Sequence, residues 1–340
     1  MKHSKALAAV AALFLLVMIL DSKVAIAGAA QGVQLCVATV IPSLFPFFIV
    51  SILLTGALSG RHFQFLGIVG KKLGLPQGGQ GLLLIGFLGG YPIGAQSVAQ
   101  ACRTGNLSKQ DGERMLAFCS NAGPAFLFGI GSSLFPQMWM CWLLWGIHII
   151  SSLAVGLLTA RINPGTSMPA PTKSISLTEA MHRAVNAMAM VCGWIVMFRT
   201  IIAFCEHWFF WLLPSNCQLL LTGLLEMTNG CCSLKDISSV GLRMQYFSVF
   251  LGFGGLCVLL QTKAVLSGSS LTGSYYFPGK VAQSAFSYLL CILAQPLLPQ
   301  QMRTYPAPYL PLLAAGLCLG YGIYQIKIKK CSSISALVGV

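Results

Sequence analysis

Apolar residues along this chain fall into runs of about 20, the length that crosses a bilayer as a helix, and short polar or basic segments separate them. The pattern predicts spans over residues 6–20, 36–58, 115–134, 138–159, 185–213, 242–260, 281–298 and 309–326. Two apolar segments do not read as spans. One is Gly86-Phe87-Leu88-Gly89-Gly90-Tyr91-Pro92-Ile93-Gly94-Ala95-Gln96, which carries four glycines and a proline. Glycine costs about 1 kcal/mol in a helix interior and proline about 3, and in lipid each freed backbone group needs a partner inside the protein. A broken helix hairpin is expected there; the competing reading is a glycine zipper, with Gly86, Gly90 and Gly94 four apart. The other segment, 219–230, is too short to cross, ends in polar residues and holds Glu226.

Charge gives these segments an orientation. Lys2 and Lys5, Arg61 with Lys71 and Lys72, Arg103 to Arg114, Lys263 with Lys280, and Lys327 to Lys330 sit in predicted loops, the distribution of cytoplasmic loops. The glycine-rich hairpin lies between two such loops, so it enters and leaves by the cytoplasmic face, and the 219–230 segment enters from outside. Both termini are then cytoplasmic. The first run also has a signal-peptide shape with Ala25-Ile26-Ala27 as a cleavage site; Asp21 and Lys23 interrupt it, and an uncleaved first span is expected.

The fold class that results is an all-α polytopic membrane protein with about eight transmembrane helices and two re-entrant, broken-helix hairpins in an inverted-topology repeat. Residues 1–35 form the first helix, 36–160 the first repeat, 161–183 a cytoplasmic linker ending in a short amphipathic helix, 184–300 the second repeat, and 301–340 the last helix with a basic tail. Such repeats place a site near the midplane, where the broken segments meet.

Composition agrees with the class. Of 340 residues, 56% are hydrophobic and 8% charged, so a net charge of +14 reflects loop lysines and arginines rather than a nucleic-acid surface. Thirteen cysteines lie mostly within spans without CxxC pairs, which argues for apolar fillers and against zinc. A bridge from Cys217 to Cys231 or Cys232 is the alternative, should that segment face outside. No cofactor or metal is expected.

Several polar residues inside spans are candidates for function. Asn121 must hydrogen-bond within the bundle, as interhelical glue or as a solute contact. His148 reads as a satisfied packing residue. Arg199 needs a partner or a wet cavity; Glu206, two turns further on, shares its face. Glu226 reads either as the buried salt-bridge partner of Arg199 or as a solute or cation ligand. Gly273 to Lys280 does not keep phosphate-loop spacing.

The stretches Gly90-Tyr91-Pro92-x-Gly94-Ala95, Phe118-Cys119-x-Asn121-x-x-Pro124-x-Phe126, Gly223-x-x-Glu226-Met227-Thr228-x-Gly230 and Gly254-Gly255 through Gln261 together resemble the YlbJ-type sporulation integral membrane protein family. That family is grouped with the nucleoside-recognition "Gate" domains, related to concentrative nucleoside transporters. Gln96 and Ser120 depart from its pattern, standing where a lysine and a second asparagine are expected. The resemblance implies a role in spore cortex formation and a site for a small polar solute. The expected site residues are Gly90, Tyr91, Pro92, Asn121, Glu226, Thr228 and Gln261, with Arg199 as a structural charge partner. Its partners are then the lipid bilayer and the solute, with a coupling cation or proton; nucleic acid is not among them, and a homo-oligomer stays open. The competing function is a non-transporting scaffold for spore-envelope assembly. An intramembrane enzyme is disfavoured, since no paired buried aspartates, HExxH sequence or nucleophile–histidine arrangement is evident.

Overall fold

A computed structural model describes residues 2–304 apart from 59, 60, 62, 77 and 161–174, and among these every regular element is helical. Helix α1 (Lys2–Leu20) stops at Asp21 and α2 (Ser22–Leu35) follows at once. A π-helical turn at Cys36–Val40 then leads into α3 (Ile41–Leu58). Pro42 and Pro46 lack the N–H groups that would close the preceding turns, and the wide turn sits just before them; Ser43 Oγ donates to the Thr39 carbonyl at 2.6 Å. The second span therefore begins at Ser22 rather than at residue 36, as one helical run of 37 residues.

Helix α4 (Gly67–Lys72) is a short connector. Helices α5 (Gly79–Leu88) and α6 (Ile93–Arg103) pack against each other across the break at residues 89–92, which contains a cis Tyr91–Pro92 peptide. Helix α7 (Lys109–Leu116) begins at a Ser108 cap, whose Oγ accepts from Asp111 N at 3.1 Å. The predicted span over 115–134 is not continuous: residues 117–123 leave the helix, and α8 (Pro124–Leu134) restarts with Pro124 at its first turn, where proline is tolerated. Helix α9 (Met138–Leu158) follows the prediction. Helix α10 (Leu177–Trp208) absorbs the expected amphipathic helix into its own first turns.

Helices α11 (Ser215–Leu225) and α12 (Met227–Ser233) are separated by Glu226 alone. The predicted sixth span is also broken, at Gly254, into α13 (Val240–Phe253) and α14 (Gly255–Leu266). Helix α15 (Tyr276–Leu293) starts five residues before the predicted seventh span. The predicted eighth span lies outside the described residues. Among the described residues, four helical runs are long and apolar enough to cross a membrane: Ser22–Leu58, Met138–Leu158, Leu177–Trp208 and Val240–Leu266.

Each half thus runs in the same order: a long helix (α3, α10), a helical hairpin (α5–α6, α11–α12), a broken helix (α7–α8, α13–α14) and a further helix (α9, α15). Helices α2 and α3 pack on α10, α15 lies between α9 and α13, and α6 meets α14. Large apolar side chains such as Val10, Leu13, Trp142, Met190 and Leu293 stand on the outside, while Asn121, His148, Gln245, Lys280 and Gln283 are buried. Polar residues inside and apolar ones outside is the arrangement that lipid demands, because intramembrane polar groups must find partners within the bundle.

Candidate functional site

The four helix breaks converge. Gly90, at φ +73°, lies so close to residue 123 that a Cβ on it would stand 2.9 Å from Gly123 N. The first hairpin thereby touches the break between α7 and α8. Its Tyr91 hydroxyl approaches the Leu251 carbonyl at 3.5 Å, and a Cβ on Gly254 would meet the same hydroxyl at 3.1 Å. The second hairpin closes the ring, since a Cβ on Gly255 would lie 3.1 Å from Met227 N. Gly254 and Gly255 both take positive φ, where a side chain is strained. The zipper reading of Gly86 and Gly94 also holds, with the broken segment as its partner: both face the Cys119 carbonyl, which a Cβ would reach at 2.0 and 2.2 Å.

At the junction is a cavity of about 40 Å³ bounded by Gly90, Tyr91, Glu226, Thr228 and Gln261, with aromatic walls from Phe48 and Phe126. Five of the expected site residues therefore share one cavity. Pro92 and Gln261 border a second cavity of about 290 Å³, reached from Asn186 and Arg183. A third, of about 900 Å³, is lined by Gln31, Ser133, Arg199, Glu206, Thr222 and Asn229 among others. Asn121 lines none of these three; it lies behind Tyr91, donating to the Phe118 carbonyl at 2.7 Å.

Glu226 is the N-cap of α12. Its Oε1 accepts from Thr228 N at 2.9 Å, and its Oε2 accepts from Asn229 N at 2.7 Å and Asn229 Nδ2 at 2.6 Å. The break that exposes these donors is thus capped by the residue that makes it. Arg199 is not its partner, which corrects one of the two readings above: Arg199 pairs with Glu206 at 2.9 Å and also donates to Gln31 Oε1. The seven-residue spacing places Glu206 on Arg199's face, nearer than the hairpin. Among the described residues Glu226 forms no ion pair.

The largest correction concerns Lys280, read above as a loop residue. It is 1% exposed, within α15, and its Nζ donates to the Ser120 carbonyl, to Gln283 Oε1 at 2.5 Å and to Asn121 Oδ1 at 3.3 Å. Tyr91 OH lies 3.5 Å away, and the ammonium stands over the rings of Tyr91 (5.5 Å) and Tyr276 (5.9 Å). Gln283 also donates to Asn121 Oδ1 at 3.0 Å. His148 Nε2 accepts from Ala122 N at 3.2 Å, so this histidine serves the freed backbone of the same break. Ser152 Oγ donates to the Phe118 carbonyl at 2.7 Å, and Ser151 and Ser287 join α9 to α15 at 2.7 Å. A signal for Lys280 was present: Gln283, Ser284 and Ser287 recur three, four and seven residues on, one polar face on an apolar helix. The cysteines among the described residues are free, including Cys217, Cys231 and Cys232, so the alternative bridge is not formed.

The chain is similar to the sporulation integral membrane protein YlbJ of Bacillus subtilis (strain 168), with 25% identity over 313 residues that cover 77% of this chain and 75% of that protein. No family model matches the chain, and no solved structure matches it.

Proposed function

From its 25% identity to the sporulation integral membrane protein YlbJ, we propose that the chain belongs to that protein's family and is a multi-pass sporulation protein that passes a small polar solute across a bacterial membrane. The observation that carries this reading is the position of Glu226. It borders the small central cavity, while its partners Thr222 and Asn229 border the largest one; Gln261, across the centre, borders the third. A narrow centre flanked by two wider cavities fits a gated path, and broken helices at that centre leave backbone groups available to a solute. In this reading the two halves are an inverted-topology repeat, the termini are cytoplasmic, and the membrane is that of the mother cell or forespore. Glu226 takes the solute's amine, a coupling cation or a proton. Gln261 and Thr228 hydrogen-bond the solute, and a nucleoside is its form by resemblance alone.

One observation favours the second reading, a membrane scaffold for spore-envelope assembly. The central cavity holds no more than a few waters by volume, and the Glu226 carboxylate already serves three donors as a cap. Purified protein screened by thermal shift against nucleosides, amino acids and amines separates the two, because a ligand that prefers the folded state raises the melting temperature. A hit that also accumulates in proteoliposomes is the expected result. No hit, together with a normally sporulating strain whose protein carries bulky residues at Gly90 and Gln261, establishes the scaffold instead.

A further inference from the structure

We propose that Lys280 is a tethered cation, held in an oxygen cage of the kind that would otherwise take a dissolved monovalent ion. The cage consists of the Ser120 backbone carbonyl, two side-chain amide oxygens (Asn121 and Gln283) and the Tyr91 hydroxyl. All four are neutral oxygens, and among the described residues Lys280 makes no ion pair with a carboxylate. Neutral carbonyl and amide oxygens converging on one point are the donor set that replaces the hydration shell of an alkali cation. Carbonyls freed where a membrane helix unwinds serve in the same way.

The location explains why a positive charge is needed. Residues 117–123 leave the helix, so carbonyls of this segment lose helical N–H partners, although Gly123's is met by Leu127 N at 3.2 Å where α8 restarts. Among the described residues, Asn121 Nδ2 and Ser152 Oγ both serve the Phe118 carbonyl. The Ser120 carbonyl is left to the ammonium. Through Tyr91 and Asn121 the same ammonium holds the first hairpin and the α7–α8 break against α15. It lies on the far side of Tyr91 from the central cavity, whose lining does not include it. A dissolved ion at this place would come and go; a lysine cannot leave. The break is therefore stabilised at any salt composition, and any coupling cation has to bind elsewhere.

Lys280→Ala removes the ammonium and leaves the oxygens. Melting temperature is to be measured in detergent at fixed ionic strength while N-methylglucamine is exchanged for sodium, potassium or methylammonium. The wild type sets the baseline, which includes any cation bound away from Lys280. The alanine variant melts lower, and at least one small cation raises its melting temperature saturably, by roughly 2–4 °C or more, whereas bulky N-methylglucamine does not. Lys280→Met, which fills the same space with an apolar chain, melts lower and gains nothing beyond that baseline from any cation. Equal indifference of the alanine and methionine variants overturns the proposal, as does a cation response in the alanine variant no larger than that of the wild type. Should Lys280→Ala not be recovered folded, it is extracted in each cation in turn: folded protein obtained with a small cation and not with N-methylglucamine supports the proposal, and no recovery in any cation while Lys280→Met folds overturns it.

Discussion

Glu226→Gln is the substitution that separates a structural role at the centre from the proposed solute binding. The carboxylate accepts three N–H bonds on two oxygens. Glutamine offers one oxygen, which keeps the two Asn229 bonds if it turns toward Oε2's position. Its NH₂ then faces Thr228 N, donor against donor, in a site that is 2% exposed. A buried donor left without an acceptor costs about 1–3 kcal/mol. The two surviving bonds lose their charge assistance, which roughly doubles the strength of a hydrogen bond. Together the substitution should destabilise the fold by about 2–4 kcal/mol. At roughly 2–4 °C per kcal/mol, as in chains of 150–250 residues, melting should fall by about 4–16 °C. Far-ultraviolet circular dichroism at low temperature should still report the native helix content, because one cap does not hold the other helices. In the thermal-shift assay the variant should also lose its response to any ligand found for the wild type, measured relative to its own melting point. An unchanged melting temperature would refute the cap geometry. A lower melting temperature with the ligand response intact would remove Glu226 from the solute site and leave it a structural residue.

Gly90→Ala should destabilise by about 2–3 kcal/mol, combining roughly 1–2 for a left-handed backbone with a contact of 2.9 Å against Gly123 N, which is backbone and cannot yield; denaturant titration in mixed micelles checks it, and a change under about 0.5 kcal/mol counts against the convergence of the breaks. Arg199→Met should cost at most about 1 kcal/mol, because Glu206 is 44% exposed at its side chain and water screens the pair. It should leave ligand response unaltered, which a thermal-shift titration tests; loss of response would return Arg199 to the site.

The helix breaks were legible in proportion to how loudly their residues speak. Gly89, Gly90 and Pro92 announce the first hairpin, because glycine and proline act on the backbone wherever they stand. Asn121, Gly123 and Pro124 carry the same message, but Met115 to Cys119 and Ala125 to Ile130 surround them with enough apolar residues that a span-length window averages the break away. At Gly254 and Gly255, both at positive φ, one helix ends and another begins; the glycines at 252, 254 and 255 are the signal, and the apolar residues on either side average it away over a span-length window. Lys280 was misplaced for a different reason. Lysine between apolar runs does report loops in most membrane chains, and only the polar residues following it at helical spacing argue otherwise. Glu113 shows the limit: it accepts from Thr272 and Ser274 across the bundle, a contact set by tertiary packing that no local pattern encodes.

The charges of Glu226 and Lys280 set the class of solute that the proposed path would take. Glu226 lines the central cavity, and Lys280 is separated from it by the Tyr91 ring. Neither forms an ion pair among the described residues, so they do not cancel each other. A solute entering the cavity meets a carboxylate, two uncharged polar side chains (Thr228 and Gln261) and aromatic walls, and it meets no ammonium. In a medium of low dielectric this difference is large, since two like charges about 4 Å apart repel by about 4 kcal/mol even at an effective dielectric of 20. Dicarboxylates should therefore give no thermal shift, while neutral solutes carrying hydrogen-bonding groups, and amines above all, should give one. Aromatic faces add attraction for a cationic or flat solute. A dicarboxylate outranking every amine and nucleoside in the same panel would mean that the carboxylate faces away from the path, and the site would have to be sought on the Lys280 side of Tyr91.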